Sequence, residues 1–159
     1  IPTRPDTGYG YINVPGFVHG QLLKVLQFKE KPDLATAEGY LASGNFVWNA
    51  GIFVWNVRTI NSELRAHAPQ IMSVMDRLEP EFYTPGEQSA LAELFPTCDK
   101  ISIDYAVMEK SRNIYVIAEN LGWSDLGSWH SLREQLLAMG RVQQIEHWEK
   151  VIAASVPEK

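Results

Sequence analysis

One cysteine, Cys98, in 159 residues leaves no internal disulfide and too few thiolates for a multi-cysteine metal site. It points to a reducing, cytoplasmic compartment, and Cys98 itself reads as a small buried or half-buried residue rather than a nucleophile. Positive charge is also short: 14 Lys and Arg stand against 19 Asp and Glu, for a net charge of -5. The basic residues are scattered, with no stripe of the kind a nucleic-acid footprint requires. No apolar run approaches the roughly 20 residues of a membrane span. The four histidines lie in unrelated contexts. Without a GxSxG elbow or zinc-ligand spacing, neither Ser–His–Asp nor zinc chemistry has support. Repeats and low-complexity segments are missing too.

What remains is ordinary globular composition, 45% hydrophobic and 21% charged, enough for one domain with its own core. The opening IPTRPDTGYGYINV has no initiator Met and no signal core. It reads as a chain entered partway through a larger protein.

Strand signals alternate with helix signals, which gives the α/β class, or α+β if antiparallel pairs dominate. Tyr9 to Val14 predicts a strand closed by Pro15-Gly16, and Leu22 to Phe28 a second, partly buried one. Asp33 is placed to cap a helix over Leu34 to Ala42 that Gly44 closes. Phe46 to Val57 is the most apolar stretch and predicts a central strand, with a break near Gly51. Apolar residues at threes and fours predict helices at 58–68, 70–78 and 87–94. Ser102 can cap a helix to about Lys110, Asn113 to Ala118 predicts a strand, and Ser128 to Met139 a helix. Residues 1–139 read as one unit and 140–159 as a tail with weaker signals.

Four short groups can carry chemistry, and each has a plainer reading. Gly8-Tyr9-Gly10-Tyr11 brings the backbone close to another surface, or simply turns into a strand. It is no GxGxxG phosphate loop, because the third glycine and the helix after it are missing. Phe28-Lys29-Glu30-Lys31-Pro32 sets opposite charges at a strand end, where ligands tend to sit. Glu30 there can accept from hydroxyls and Lys31 can neutralise a phosphate; the alternative is a solvated turn.

Asn49 in WNAGIF shares a face with Val47, Gly51, Phe53 and Trp55 if the strand is continuous. An amide there needs a partner or costs roughly 1–3 kcal/mol. A ligand, a neighbouring backbone or a water could fill the room that Gly51 leaves. Asp125, in LGWSDLGSWH, either caps the following helix, in competition with Ser124 and Ser128, or offers one carboxylate to a hard cation such as Mg²⁺.

In order along the chain, PTRPDTGYGYI (2–12), FKEKPD (28–33), WNAGIFVWNV (48–57), SIDYAVMEK (102–110) and GWSDLGSW (122–129) resemble the sugar-nucleotide pyrophosphorylases of the bacterial mannose-1-phosphate guanylyltransferase type. The resemblance implies a Rossmann-like α/β nucleotidyltransferase domain, with a mixed sheet flanked by helices. It also implies in-line attack of mannose 1-phosphate on GTP, assisted by Mg²⁺, giving GDP-mannose and pyrophosphate. On this resemblance Tyr9 and Gly10 line the sugar site, Glu30 holds sugar hydroxyls, and Lys31 serves the sugar phosphate and catalysis. Asn49 contacts the sugar, Asp125 is a catalytic carboxylate on Mg²⁺, and Asp104 has a structural or supporting place.

The family's glycine-rich basic loop and its Asp-x-Asp have no counterpart in these 159 residues. The match is therefore to the C-terminal, sugar-binding half of the catalytic domain. Such a half is expected to be inactive alone, and to self-associate or pair with its missing N-terminal half. Nucleic acid and membrane are not expected as partners. A non-catalytic sugar-phosphate-binding or regulatory module, or a pyrophosphorylase for another sugar 1-phosphate, stays open as the alternative.

Overall fold

Tyr11–Asn13 (β1) is the middle strand of a three-stranded antiparallel sheet in the computed structural model, which describes residues 1–120, 122–123, 125–127 and 129–155. Its neighbours are Gln27–Lys29 (β3) and Phe46–Trp48 (β4). The registers pair Ile12 with Phe28 on one side and with Val47 on the other. Period-2 alternation then puts Ile12, Phe28 and Val47 on one face and Tyr11, Phe46 and Trp48 on the other.

Each face buries something different. The first packs with Val14, Met108 and Ala118 into the largest apolar cluster. The second packs against Ala37 and Tyr40 of Leu34–Ser43 (α1), where the Tyr40 and Phe46 rings stack at 3.9 Å. Asp33 caps this helix through the Thr36 N–H at 2.8 Å, and Gly44 ends it at φ 70, an angle that favours glycine.

The stretch Leu22 to Phe28 is two strands rather than one. Leu22–Lys24 (β2) pairs antiparallel with Tyr115–Ile117 (β5), while β3 belongs to the first sheet. The corner is visible in two amides: Val25 donates to the Ile114 carbonyl at 3.0 Å, and Leu26 to the Asn13 carbonyl at 2.9 Å. Alternation of apolar residues does not reveal such a change of partner. The long strand expected over 46–57 also stops at Trp48. Asn49 bends the chain by accepting the Gly51 N–H on its Oδ1 at 2.9 Å, with Gly51 at φ 67.

Helices Val57–His67 (α2), Pro69–Leu78 (α3) and Glu87–Leu94 (α4) form where the spacing placed them. Asn56 caps α2, Pro69 opens α3 at its first position, and a two-pronged Arg65–Asp76 pair at 2.9 and 2.7 Å ties α2 to α3. Cys98 is a free, half-buried thiol packed near Leu78 and Leu94. The segment after Ser102 is no ordinary helix but a π-helical turn, Asp104–Met108, and the Ser102 side chain does not cap it. This turn joins two cores: Met108 packs on the sheet, while Ala106 and Val107 pack with Ala68 between α2 and α3.

Contacts divide the chain into Ile1–Glu119 and Asn120–Lys159. The second unit contains Trp129–Ala138 (α5) and Val142–Ser155 (α6), so residues after Gly140 that carried weak signals are helical. Ser124 and Ser128, the alternative caps, lie outside the described residues. Among the described residues no helix is long and apolar enough to cross a membrane.

Burial decides which apolar positions matter. Ile12 is 7% exposed at the centre of the sheet, whereas Val54, in the stretch expected to be strand, is 96% exposed. Ile12→Ala should cost about 2–5 kcal/mol in denaturant unfolding, and Val54→Ala less than about 0.5 kcal/mol. Equal losses would contradict this division.

Candidate functional site

Extending the two registers by one residue beyond β1 sets Gly10 opposite Glu30 on one side and Asn49 on the other. The Asn49 N–H donates to the Gly10 carbonyl at 2.8 Å, so the pairing does continue. Gly10, Glu30 and Asn49 therefore form the next row on the face that buries Ile12, Phe28 and Val47. An apolar row gives way to a polar one at the sheet end, with a residue that has no side chain at its centre.

The middle position must be small. A Cβ on Gly10 would collide with Glu30 Oε2 and lie 3.1 Å from Asn49 Cβ. The missing side chain is the space that the Glu30 carboxylate fills. Glu30 is 8% exposed, and its Oε2 is buried without a hydrogen-bond partner among the described residues. Its Oε1 lies 3.5 Å from Lys31 Nζ.

Burial pushes the Glu30 carboxyl above its ordinary value, and the nearby Asp104 carboxylate pushes the same way. The Lys31 cation and the neighbouring Asn49 amide oppose both. Lys31 adopts φ 43, unusual for a residue with a side chain, immediately before Pro32. Its side chain is largely exposed.

Two residues that sequence reasoning undervalued hold this arrangement. Asp104, read from the sequence only as a structural or supporting residue, accepts from Asn49 Nδ2 at 3.2 Å. Glu109 was not singled out. Its Oε1 accepts the Glu30 N–H at 2.9 Å and lies 3.4 Å from Lys29 Nζ. The available signal was two acids bracketing the apolar AVM of SIDYAVMEK.

The structure thus brings Gly10, Glu30, Lys31 and Asn49 together. Tyr9 points elsewhere: its ring meets Trp48 edge-on at 4.9 Å, and Trp48 belongs to the opposite face of the sheet. The Arg4 guanidinium lies 5.9 and 5.5 Å from these two ring centroids. Any contribution of Tyr9 to the Gly10 row would come through its backbone.

Asp125 belongs to the second unit. It is exposed, and its Oδ1 accepts the Gly127 N–H at 3.0 Å in a local turn. Trp123 and Trp129 beside it are 40% and 60% exposed, so this carboxylate is not enclosed by its aromatic neighbours. Among the described residues no three His, Cys, Asp or Glu converge on a possible metal position. The donor chemistry is compatible with Mg²⁺, which takes one or two carboxylates and fills its remaining positions with phosphate and water oxygens.

The Glu30 shift has a sign that can be checked. A raised native pKa means the folded chain binds more protons than the unfolded one. Its stabilising contribution is complete below the ordinary value of 4.5 and is lost as pH rises through the native pKa. Glu30→Gln should therefore melt above the wild type at neutral pH, with the gap closing as pH falls toward that value. Thermal melts across pH test this, and a gap that widens on acidification would refute it.

Comparison with known proteins places the chain in a family. The nucleotidyl transferase family matches residues 1–141. Mannose-1-phosphate guanylyltransferase ManC of Salmonella typhimurium is 40% identical over 144 residues, covering 84% of this chain and 29% of that protein. The xanthan biosynthesis protein XanB of Xanthomonas campestris pv. campestris is 42% identical over 132 residues, 82% of this chain and 28% of that protein. A solved mannose-1-phosphate geranyltransferase of Thermus thermophilus shares the fold at a TM-score of 0.68 and 35% identity, over 85% of this chain and 38% of that one. The chain spans under a third of the length of these curated relatives. With the family matched over most of its residues, the chain belongs to the nucleotidyl transferases.

Proposed function

We propose that this chain supplies the sugar-phosphate side of an enzyme that joins mannose 1-phosphate to GTP, giving GDP-mannose and pyrophosphate. The observation that carries the reading is the buried Oε2 of Glu30, without a hydrogen-bond partner among the described residues and set over a glycine. A hexose hydroxyl both donates and accepts, so it can donate to Glu30 and accept from the Asn49 amide. Lys31, exposed beside the row, is placed to neutralise the phosphate on the sugar. The names of the matched relatives favour mannose and guanine over other sugars and bases.

In the reaction a phosphate oxygen of the sugar phosphate forms a bond to the α-phosphorus of GTP as the bond to the β-phosphate oxygen breaks. Asp125 would offer one carboxylate to Mg²⁺, which when bound would supply charge neutralisation to the phosphates. The residues of this chain orient the hexose and balance the charge of its phosphate, with no covalent step on the protein. The nucleotide side falls to a segment with a glycine-rich basic loop, which these 159 residues do not contain. The chain would work in the cytoplasm, paired with that segment or self-associated.

Three measurements test this. The 159-residue chain should bind mannose 1-phosphate yet form no GDP-mannose from GTP with Mg²⁺; robust turnover by it alone would sink the divided-site reading. Gly10→Ala should abolish sugar-phosphate binding, because the new Cβ would displace the Glu30 carboxylate and press on Asn49; retained affinity in a titration would count against the row as the site. In a polypeptide that also carries the nucleotide half, Asp125→Asn should lower Mg²⁺-dependent turnover by orders of magnitude. A non-catalytic binding module would hardly respond to that substitution.

A further inference from the structure

We propose that Asp104 and Glu109 are positioning residues of the hexose site, Asp104 fixing the Asn49 amide and Glu109 fixing the backbone from which Glu30 and Lys31 project. This rests on the sugar-phosphate reading of the Gly10 row and names the groups that give the row its geometry.

The Asn49 side chain is held at both ends. Its Oδ1 accepts the Gly51 N–H at 2.9 Å, and its Nδ2 donates to Asp104 Oδ1 at 3.2 Å. A carboxylate can only accept and a backbone N–H can only donate, so the amide has one orientation that satisfies both. The same amide also interacts with the Glu30 carboxylate, so the two polar side chains of the row are set together. Without Asp104 the amide loses the contact that fixes its donor end.

The other arm depends on Glu109. The segment Lys29 to Lys31 leaves β3 and reaches φ 43 at Lys31, an angle a lysine does not adopt unaided. Glu109 Oε1 accepts the Glu30 N–H at 2.9 Å and stands 3.4 Å from Lys29 Nζ. It thereby anchors the amide directly before the strained residue.

Both acids come from one device. The Glu109 N–H donates to the Asp104 carbonyl at 2.9 Å, the i→i+5 closure of a π turn. Between them Ala106, Val107 and Met108 are buried and fix the turn to two apolar clusters. An acid serving only its own helix end would bond nearby amides. Asp104 instead reaches a side chain 55 positions away, and Glu109 an amide 79 positions away. The proximity of Asp104 also raises the proton affinity of Glu30, as expected for two acids facing one small space.

Calorimetric titration of mannose 1-phosphate into the chain, with a thermal melt of every variant, tests the proposal. Asp104→Ala and Glu109→Ala should each weaken binding about tenfold or more, the scale of one well-placed hydrogen bond. Asp104→Asn and Glu109→Gln keep an acceptor oxygen and should stay within about threefold of wild type. Wild-type binding with unchanged affinity in both alanine variants overturns the positioning roles and leaves the sugar reading standing. Equal loss in the alanine and amide variants, in step with lowered melting temperatures, assigns the acids to stability alone and also overturns the proposal. No binding by the wild type overturns both readings together.

Discussion

A buried carboxylate can sit at the end of this sheet because the residue opposite it has no side chain. Gly10 occupies the register position between Glu30 and Asn49, and any Cβ there would meet Glu30 Oε2. The same face one row inward is closed by Ile12, Phe28 and Val47. That apolar row forces the register, since a slip by one residue would turn all three to the wrong side. The polar row inherits its placement from the apolar one, so the precision of the site is a by-product of core packing. Lys31, Asn49 and the acids around them act only if that register holds.

The π-helical turn at Asp104–Met108 extends this dependence to the helical layer. Its apolar residues belong to the sheet core and to the α2–α3 core, while the acids at and just beyond its ends face the row. Packing energy from three buried side chains is thereby converted into the position of two hydrogen-bond acceptors. An exposed loop carrying the same acids would have to order them at a cost in side-chain entropy each time a ligand arrived.

Local signals were legible in the sequence and tertiary ones were not. Asp33 and Gly44 bracket α1 because caps act within a few residues. Helices α2, α3 and α4 follow from apolar periodicity and from the prolines between them. The split of Leu22 to Phe28 between two sheets depends on which strand each amide finds, and no window of neighbouring residues contains that information. The stretch after Trp48 looked like strand by composition, but the Asn49–Gly51 turn overrides propensity. In the site, the motif at 28–33 and the glycine at 10 were readable as residue types. The Tyr9 ring turned out to lie on the other face, a consequence of alternation about Gly10 that was available from the strand pattern alone. Asp104 was legible only as a structural or supporting residue and Glu109 was not singled out, because a helical reading of SIDYAVMEK sends such acids to solvent and only the wider turn brings them to the row.

The Oε2 of Glu30, without a hydrogen-bond partner among the described residues, makes the row costly to the chain. Burying a carboxylate oxygen without a donor is unfavourable, and the native chain bears that cost whenever the site is vacant. A protein donor placed against Oε2 would remove the penalty, but on the proposed reading it would occupy the place of a sugar hydroxyl. Glycine at position 10 likewise gives up side-chain packing in order to leave the carboxylate its space. Both choices lower stability in the same few cubic ångströms and both favour a ligand that brings its own donor. Because Glu30 is already desolvated and Asn49 already oriented, such a ligand need not bear the cost of drying or ordering them, and more of its interaction energy remains as affinity.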